Sequence, residues 1–319
     1  MPGHRPVLLH ETLALLRAAA GGVFWDGTFG GGGHTRGILE ASPAGTVYAV
    51  DRDPAAAARA AALESEFPGR LHFTHANHAD TKAFAGQPFD GALIDAGVSS
   101  FQLDDATRGF SFRADAPSDM RMDPGCGIPA AEFLETAPEA SLVEAVRDFG
   151  GEPRWRAVVR ALLAARGTGA LARTESLAAL VARAVHRPGP PPRIHPCTLV
   201  FQGIRIAVNN ELGSLRAVLP AVFAALKPGG VLAVISFHSL EDRIAKHYFN
   251  EIAGRPVGRD DNRPQDSRTA VASLLTRHPV QPSEAERTGN PRSRSARLRA
   301  VCKLPAPAAP PAIHARIRT

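Results

Sequence analysis

The run Asp26-Gly27-Thr28-Phe29-Gly30-Gly31-Gly32-Gly33-His34 constrains this chain more than any other segment. It follows a short apolar stretch, Val23 to Asp26, and precedes a helix-like stretch from about His34 to Ala41. Glycine lets a chain turn through left-handed conformations, and it lets a ligand approach the backbone where a β-carbon would collide. Between the first strand and first helix of an open α/β sheet, such a loop sits at the crevice where nucleotides bind. The flanking sequence supplies the sheet. Thr46 to Asp51, Leu71 to Thr74 and Phe89 to Asp95 read as further strands, and Pro54 to Leu63 reads as a helix with proline at its first position. Alternation of strand and helix predicts an α/β fold, a mostly parallel sheet with helices on both faces.

The alternation then breaks. Asp104 to Pro129 is a loop rich in Gly, Pro, Asp and Arg, and Ala130 to about Arg187 reads as a run of amphipathic helices, with Thr174 as one N-cap. Pro188 to Pro196 holds five prolines in nine residues and marks a boundary. The first pattern returns with a helix through Ser214 to Leu226, the turn Lys227-Pro228-Gly229-Gly230 and a strand Val231 to Ser236. Ser239-Leu240-Glu241-Asp242 reads as a capping box opening a helix towards Phe249, and Arg297 to Lys303 as a late strand. The simplest organisation is a discontinuous sheet domain at 1–105 and 205–303, an inserted helical domain at 106–204, and a disordered tail at 304–319.

Asp51 closes the second strand about 20 residues after the glycine loop, where a carboxylate accepts hydrogen bonds from ribose hydroxyls. Loop and carboxylate together predict a cofactor containing adenosine. The dinucleotide fingerprint G-x-G-x-x-G/A fails in each register, because its last glycine would fall on Thr35 or Arg36. That counts against NAD or FAD. S-adenosylmethionine (SAM) carries no pyrophosphate and suits the looser loop better. Asp95, at the carboxyl end of the fourth strand, either faces the same crevice or caps the turn that follows it. Phe110 and Phe112 alternate with polar residues and are either core or a surface on which a base stacks.

Charge and cysteine content narrow the class. From Glu251 onward the chain has 13 basic and 6 acidic residues, against 24 and 25 before it, so the excess positive charge is confined to the last fifth. A localised basic segment points to a polyanionic partner such as nucleic acid. Only four of the 37 basic residues are lysines, a bias that a GC-rich genome would also produce, so charge alone leaves that partner open. Cys126, Cys197 and Cys302 show no C-x-x-C spacing, which predicts free thiols and no metal site. No apolar run reaches the roughly 18 residues that span a bilayer, and no signal-peptide pattern opens the chain, so the expectation is a cytoplasmic protein without membrane contact.

Over nearly its whole length the sequence resembles the bacterial 16S ribosomal RNA cytosine-N4 methyltransferases, the RsmH or MraW family. The resemblance is carried by His4-Arg5-Pro6-Val7-Leu8-Leu9 with Glu11, by Asp26 to Thr35, by Val50-Asp51-Arg52-Asp53-Pro54, by Asp95 to Asp105, by Arg108 to Phe112 and by Asp119 to Asp123. It continues through Phe201-Gln202, Arg205, Val208-Asn209, Glu211-Leu212, Ile235 to Arg243, and Asn290 to Ser295. It implies a class I SAM-dependent methyltransferase, Rossmann-like with an inserted helical domain, that methylates a cytidine N4 amine in the decoding region of 16S rRNA. The implied substrate is that RNA within the small ribosomal subunit, with a homodimer left open. By position, the family's cofactor contacts fall on Gly32, Gly33, His34, Asp51, His78, Asp95 and Gln102; at His78 the family more usually has an aromatic residue. Ala96, Phe101 and Leu199 stand where the family commonly has Leu, Pro and Arg. Within this reading Asp95 is the candidate acceptor for an N4–H, Phe101, Phe110 or Phe237 receives the unstacked base, and Arg292 and Arg294 contact phosphates. Competing readings are an NAD-dependent oxidoreductase and a non-catalytic RNA-binding protein. A DNA amino-methyltransferase is disfavoured because Asp95-Ala96-Gly97-Val98 lacks a D/N/S-P-P-Y/F motif.

Overall fold

Apolar stretches buried on both faces produce the inner strands Val23–Asp26 (β1), Thr46–Asp51 (β2), Phe89–Asp95 (β4) and Leu226–Ser236 (β5), with the more exposed Leu71–His75 (β3) at one edge, joined by Ala272–Leu274 (β6) and Arg297–Lys303 (β7). A computed structural model describes residues 6–80, 86–186, 196–258 and 260–305, and orders these strands β3-β2-β1-β4-β5-β7-β6 in one seven-stranded sheet. β3, β2, β1, β4 and β5 pair in parallel, while β7 runs antiparallel between β5 and β6. Alternate residues of the central strands feed opposite cores. Phe24, Leu93, Ala233 and Ile235 pack on one face, and Trp25, Ala92, Ile94, Leu232 and Val234 on the other.

Helices Leu9–Leu16 (α1), Gly33–Ala41 (α2) and Ala55–Glu66 (α3) cover the first face. α3 places Ala56, Ala60 and Leu63 in the core at helical spacing, with Pro54 one position before the helix rather than in it. The short Ser100–Asp104 (α4) leads into the insertion, built from Ala130–Thr136 (α5), Glu139–Val143 (α6), Trp155–Ala164 (α7), Thr174–Val185 (α8) and Pro196–Asn209 (α9). Glu211–Ala225 (α10) and Ser239–Ile252 (α11) cover the second face of the sheet, and Glu284–Gly289 (α12) precedes β7. The insertion has its own core, in which Leu134, Leu142, Val146, Val158, Leu162, Leu177 and Ile204 are buried. A π-helical turn, Glu144–Phe149, lies against α9 so closely that a β-carbon on Gly203 would overlap the Ala145 carbonyl oxygen. At the end of α9, the Asn209 amide donates to the Met120 carbonyl (2.7 Å) and accepts the Met122 N–H (2.7 Å), closing the loop after α4 onto the helix.

Several local expectations are corrected. The Thr174 hydroxyl does not cap its helix; it accepts the Ala116 N–H (3.0 Å) and donates to the Ala114 carbonyl (2.9 Å), tying α8 to the preceding loop. The cap of α11 falls one residue earlier than Ser239. Glu241 accepts the Phe237 and His238 N–H groups at 2.8 and 3.2 Å, in place of a Ser239–Asp242 box. β5 starts at Leu226 because Leu226 pairs with Phe89 before the Pro-Gly-Gly turn shifts the register to Gly91 opposite Val231. β6 and α12 lie in the polar stretch from about Arg255 to Arg294, for which the sequence predicts no element. Most of the Pro188–Pro196 boundary and the tail from 306 lie outside the described residues, as do His4 and Arg5. Among the described residues no helix is long and apolar enough to cross a membrane.

Candidate active site

The glycine loop is threaded between two strands by backbone hydrogen bonds. Gly27 N–H donates to the Leu93 carbonyl of β4 (2.9 Å), and Phe29 N–H to the Val50 carbonyl of β2 (2.9 Å). Asp26, fully buried at the tip of β1, accepts the Thr28 N–H (3.1 Å) and the Thr35 hydroxyl (2.7 Å), fixing both ends of the loop. Burial raises the Asp26 pKa against those hydrogen bonds and against the charge of His34. Gly30 and Gly32 have φ of 52° and 77°, the left-handed region where glycine carries no steric penalty.

Loop, strand tips, the later half of α9 and the starts of α10 and α11 enclose a cleft of about 290 Å³. Asp51 faces it while its two oxygens hold the Gly30 N–H (2.6 Å) and the Asp53 N–H (2.8 Å); each oxygen keeps a lone pair for a hydroxyl donor. Burial raises its pKa. Asp95 receives no hydrogen bond on its buried Oδ1, while Oδ2 stands 3.6 Å from Nε2 of His34. Its backbone N–H donates to the Thr28 hydroxyl (2.6 Å), so the tip of β4 is locked to the loop. His34 is buried with both ring nitrogens unbonded. Burial opposes its protonation, but Asp95 and then Asp26 outweigh that and raise its pKa.

His78 lines the cleft with Nε2 buried and unpartnered. Burial, with a smaller contribution from the Arg52 charge, lowers its pKa to about 4. A histidine so depressed binds a proton in the unfolded chain before it does in the native one. Its contribution to stability is therefore present above about pH 6.5 and is lost as pH falls towards 4, by about 3 kcal/mol. His78→Phe is expected to remove that part of the acid sensitivity, read as a smaller loss of denaturation midpoint between pH 7 and pH 4.5 than in the wild type.

The other residues expected at the site divide. Gly33 lines the cleft, whereas Gly32 is absent from its lining and packs against Phe29 and Leu63. Gln102 borders the cleft, yet its amide is engaged: Oε1 accepts the Ser99 N–H (3.0 Å) and Nε2 donates to Asp53 (3.0 Å). Of the aromatic candidates only Phe237 lines the cleft. Phe110 is buried in the insertion core, and Phe112 packs on Phe201 with ring centres 5.2 Å apart. Phe101 lies outside, where a β-carbon on Gly31 would meet its ring, with the Arg59 guanidinium 4.5 Å above it. Arg292 stands at the cleft mouth, ion-paired with Asp104, and Arg294 is exposed.

Of the other wall residues, His238 belongs to the His238-Ser239 pair that the sequence places after the fifth strand, opening towards the cleft in a structural role, and Glu241 falls in the expected capping box, whereas Arg52, Arg205 and Glu211 have no role in the sequence reading beyond the resemblance. Arg205 and Glu211 form a bidentate pair (2.7 and 2.8 Å), and His238 Nε2 lies 3.0 Å from Glu241. Glu241 is buried; its hydrogen bonds and nearby positive charges outweigh that burial and lower its pKa. Arg52 bridges to the Asn209 carbonyl (2.9 Å). The motif neighbour Asp51 was the available signal for Arg52.

Buried acceptors without partners on Asp95 and His78, a ring of backbone that no side chain fills, and a free lone-pair set on Asp51 suit an adenosyl ligand bearing an ammonium group.

Comparison with known proteins agrees. The MraW methylase family matches residues 1–304. Ribosomal RNA small subunit methyltransferase H of Methylobacterium nodulans is 48% identical over 314 residues, covering 96% of this chain and 92% of that protein. The protein of the same name from Thermomicrobium roseum is 48% identical over 313 residues, covering 94% of each. With nearly all of its length matched on both counts, the chain belongs to the MraW methylase family.

Proposed function

We propose that this chain transfers a methyl group from SAM to the N4 amine of a cytidine in 16S rRNA. The observation that carries the reading is Asp95, a carboxylate with an unpartnered buried oxygen at the strand tip where the glycine loop and the α11 wall meet. The family and the names of its relatives, ribosomal RNA small subunit methyltransferases, support the substrate class.

SAM, when bound, supplies an electrophilic methyl group on a sulfonium with a neutral leaving group. The protein's share is placement and charge. Asp51 holds ribose hydroxyls with its remaining lone pairs, and Gly27, Gly30, Gly31 and Gly33 leave the backbone open to close approach. A cytosine N4 lone pair is delocalised into the ring. An acceptor on N4–H localises it and takes up the charge that develops as the new N–C bond forms. Asp95 is that acceptor, and Phe237 gives the extruded base an apolar face. Arg292 and Arg294 contact RNA at the mouth. The assembled small subunit is the substrate form.

The test is direct. Purified protein, SAM and small subunits from a strain lacking the enzyme are expected to yield one new N4-methylcytidine, mapped by mass spectrometry, with naked 16S rRNA a poorer substrate. RNA left unchanged in both forms would overturn the reading.

A further inference from the structure

A second concavity, of about 280 Å³, lies beside α11 and is lined by Lys246, Arg255, Arg277 and Arg299 together with Phe249 and Thr276. No acidic side chain lines it. Arg299 is neutralised from behind by Asp242, which accepts its Nε–H at 2.7 Å and an Nη–H at 3.2 Å. Lys246, Arg255 and Arg277 are exposed and have no side-chain hydrogen bond or ion pair to any described residue. His247 has a lowered pKa, by burial first and then by the charges of Lys246 and Arg243. Uncompensated cations around one hollow repel each other and attract an anion.

The first turn of α11 joins this hollow to the cleft, sending Glu241 into the cleft wall and Asp242 to Arg299. Lys246 lies five residues beyond Glu241, about 7.5 Å along the helix axis at 1.5 Å per residue. It lies about 140° further round the helix, so a bound strand reaches the hollow only by passing round α11 from the cleft wall. Phe249 is 2% exposed and offers no face for stacking, so the chemistry on display is recognition of phosphate rather than of a base.

We propose that this hollow binds phosphodiester groups of the RNA substrate outside the methyl-transfer cleft. It rests on the rRNA reading above and gives the chain's basic segment a defined docking place. The test is the triple variant Lys246→Gln/Arg255→Gln/Arg277→Gln, with Arg216→Gln, an exposed cation on α10, as control. RNA affinity of wild type and variants is measured from 50 to 300 mM salt, alongside SAM affinity without RNA. The triple variant is expected to raise the KM for RNA at least tenfold and flatten the slope of log K against log salt by about 2, at about 0.7 per phosphate contact. SAM affinity and kcat at saturating RNA stay at wild-type values, and Arg216→Gln changes neither slope nor KM. An unchanged slope in the triple variant, with wild-type methylation intact, overturns the proposal and leaves the rRNA reading standing. Tight binding of inorganic phosphate lost in that variant while the RNA slope stays unchanged also overturns it, in favour of a small-anion site. A wild type that neither binds nor methylates the RNA overturns both readings.

Discussion

Asp95→Ala is expected to cut methylation of small subunits at least a hundredfold, about 2.7 kcal/mol of transition-state stabilisation, and saturating SAM is not expected to restore it. The native Oδ1 has no partner, so truncation strands no buried hydrogen-bond donor there and the fold should survive. The neighbouring histidine reports whether the change is local. Asp95 is the largest contribution raising the His34 pKa, against burial that lowers it. In the wild type that raised pKa contributes stability below about pH 6.5, lost as pH rises through the native value. Without Asp95 burial is opposed only by the charges of Asp26 and Glu286, so the His34 resonance should titrate at lower pH than in the wild type. Equilibrium dialysis with SAM then separates the two roles of the carboxylate. Weakened binding marks a cofactor contact, retained binding with slow single-turnover transfer marks activation of the amine, and wild-type turnover would remove Asp95 from the site.

Gly203→Ala carries the largest expected effect on stability. Its β-carbon would enter the Ala145 carbonyl oxygen of the π-helical turn, and Gly150 is pressed in the same way against the Leu199 carbonyl. Backbone on both sides cannot yield as a side chain can, so the cost is set at the upper end for overpacking, about 3 kcal/mol. Calorimetry is expected to show a Tm lower by roughly 6 °C or more. Gly289→Ala, with open space around it, is the matched control and should leave Tm within a degree or so of wild type. A Tm unchanged from wild type would show that α9 and the turn are not in register as described.

What was legible in the sequence was local in origin. β1, β2 and β4 are short, largely apolar stretches ending in Asp26, Asp51 and Asp95, and the glycine loop follows directly from the first. What was not legible depends on partners distant in the chain. Thr28 reads as a loop residue until β4 brings the Asp95 N–H to it, 67 residues away. Thr174 looks like an N-cap until residues 114–116 claim its hydroxyl. Gln102 borders the cleft as expected, but its hydrogen bonds to Asp53 and the Ser99 cap depend on a residue 49 positions away. Phe110 has the alternation of a half-exposed strand, but the insertion core it enters is assembled from helices far along the sequence. β6 has three residues, too few for a periodicity, and is held by pairing with β7.

The strand order has a consequence for biosynthesis. β4 ends at Asp95, yet its neighbour β5 begins only at Leu226, and β5 in turn waits for β7 at Arg297. Emerging from its amino end, the chain exposes the glycine loop, the two carboxylate tips and then the whole helical insertion before the strand that flanks Asp95 exists. The insertion is built largely from contacts between helices near in sequence and can settle early, while the sheet must close across it. The wall of the methyl-transfer cleft is thus closed only after the whole insertion has emerged, and a chain stopped before Arg297 would present the Val231–Ser236 segment of β5 as an open apolar edge.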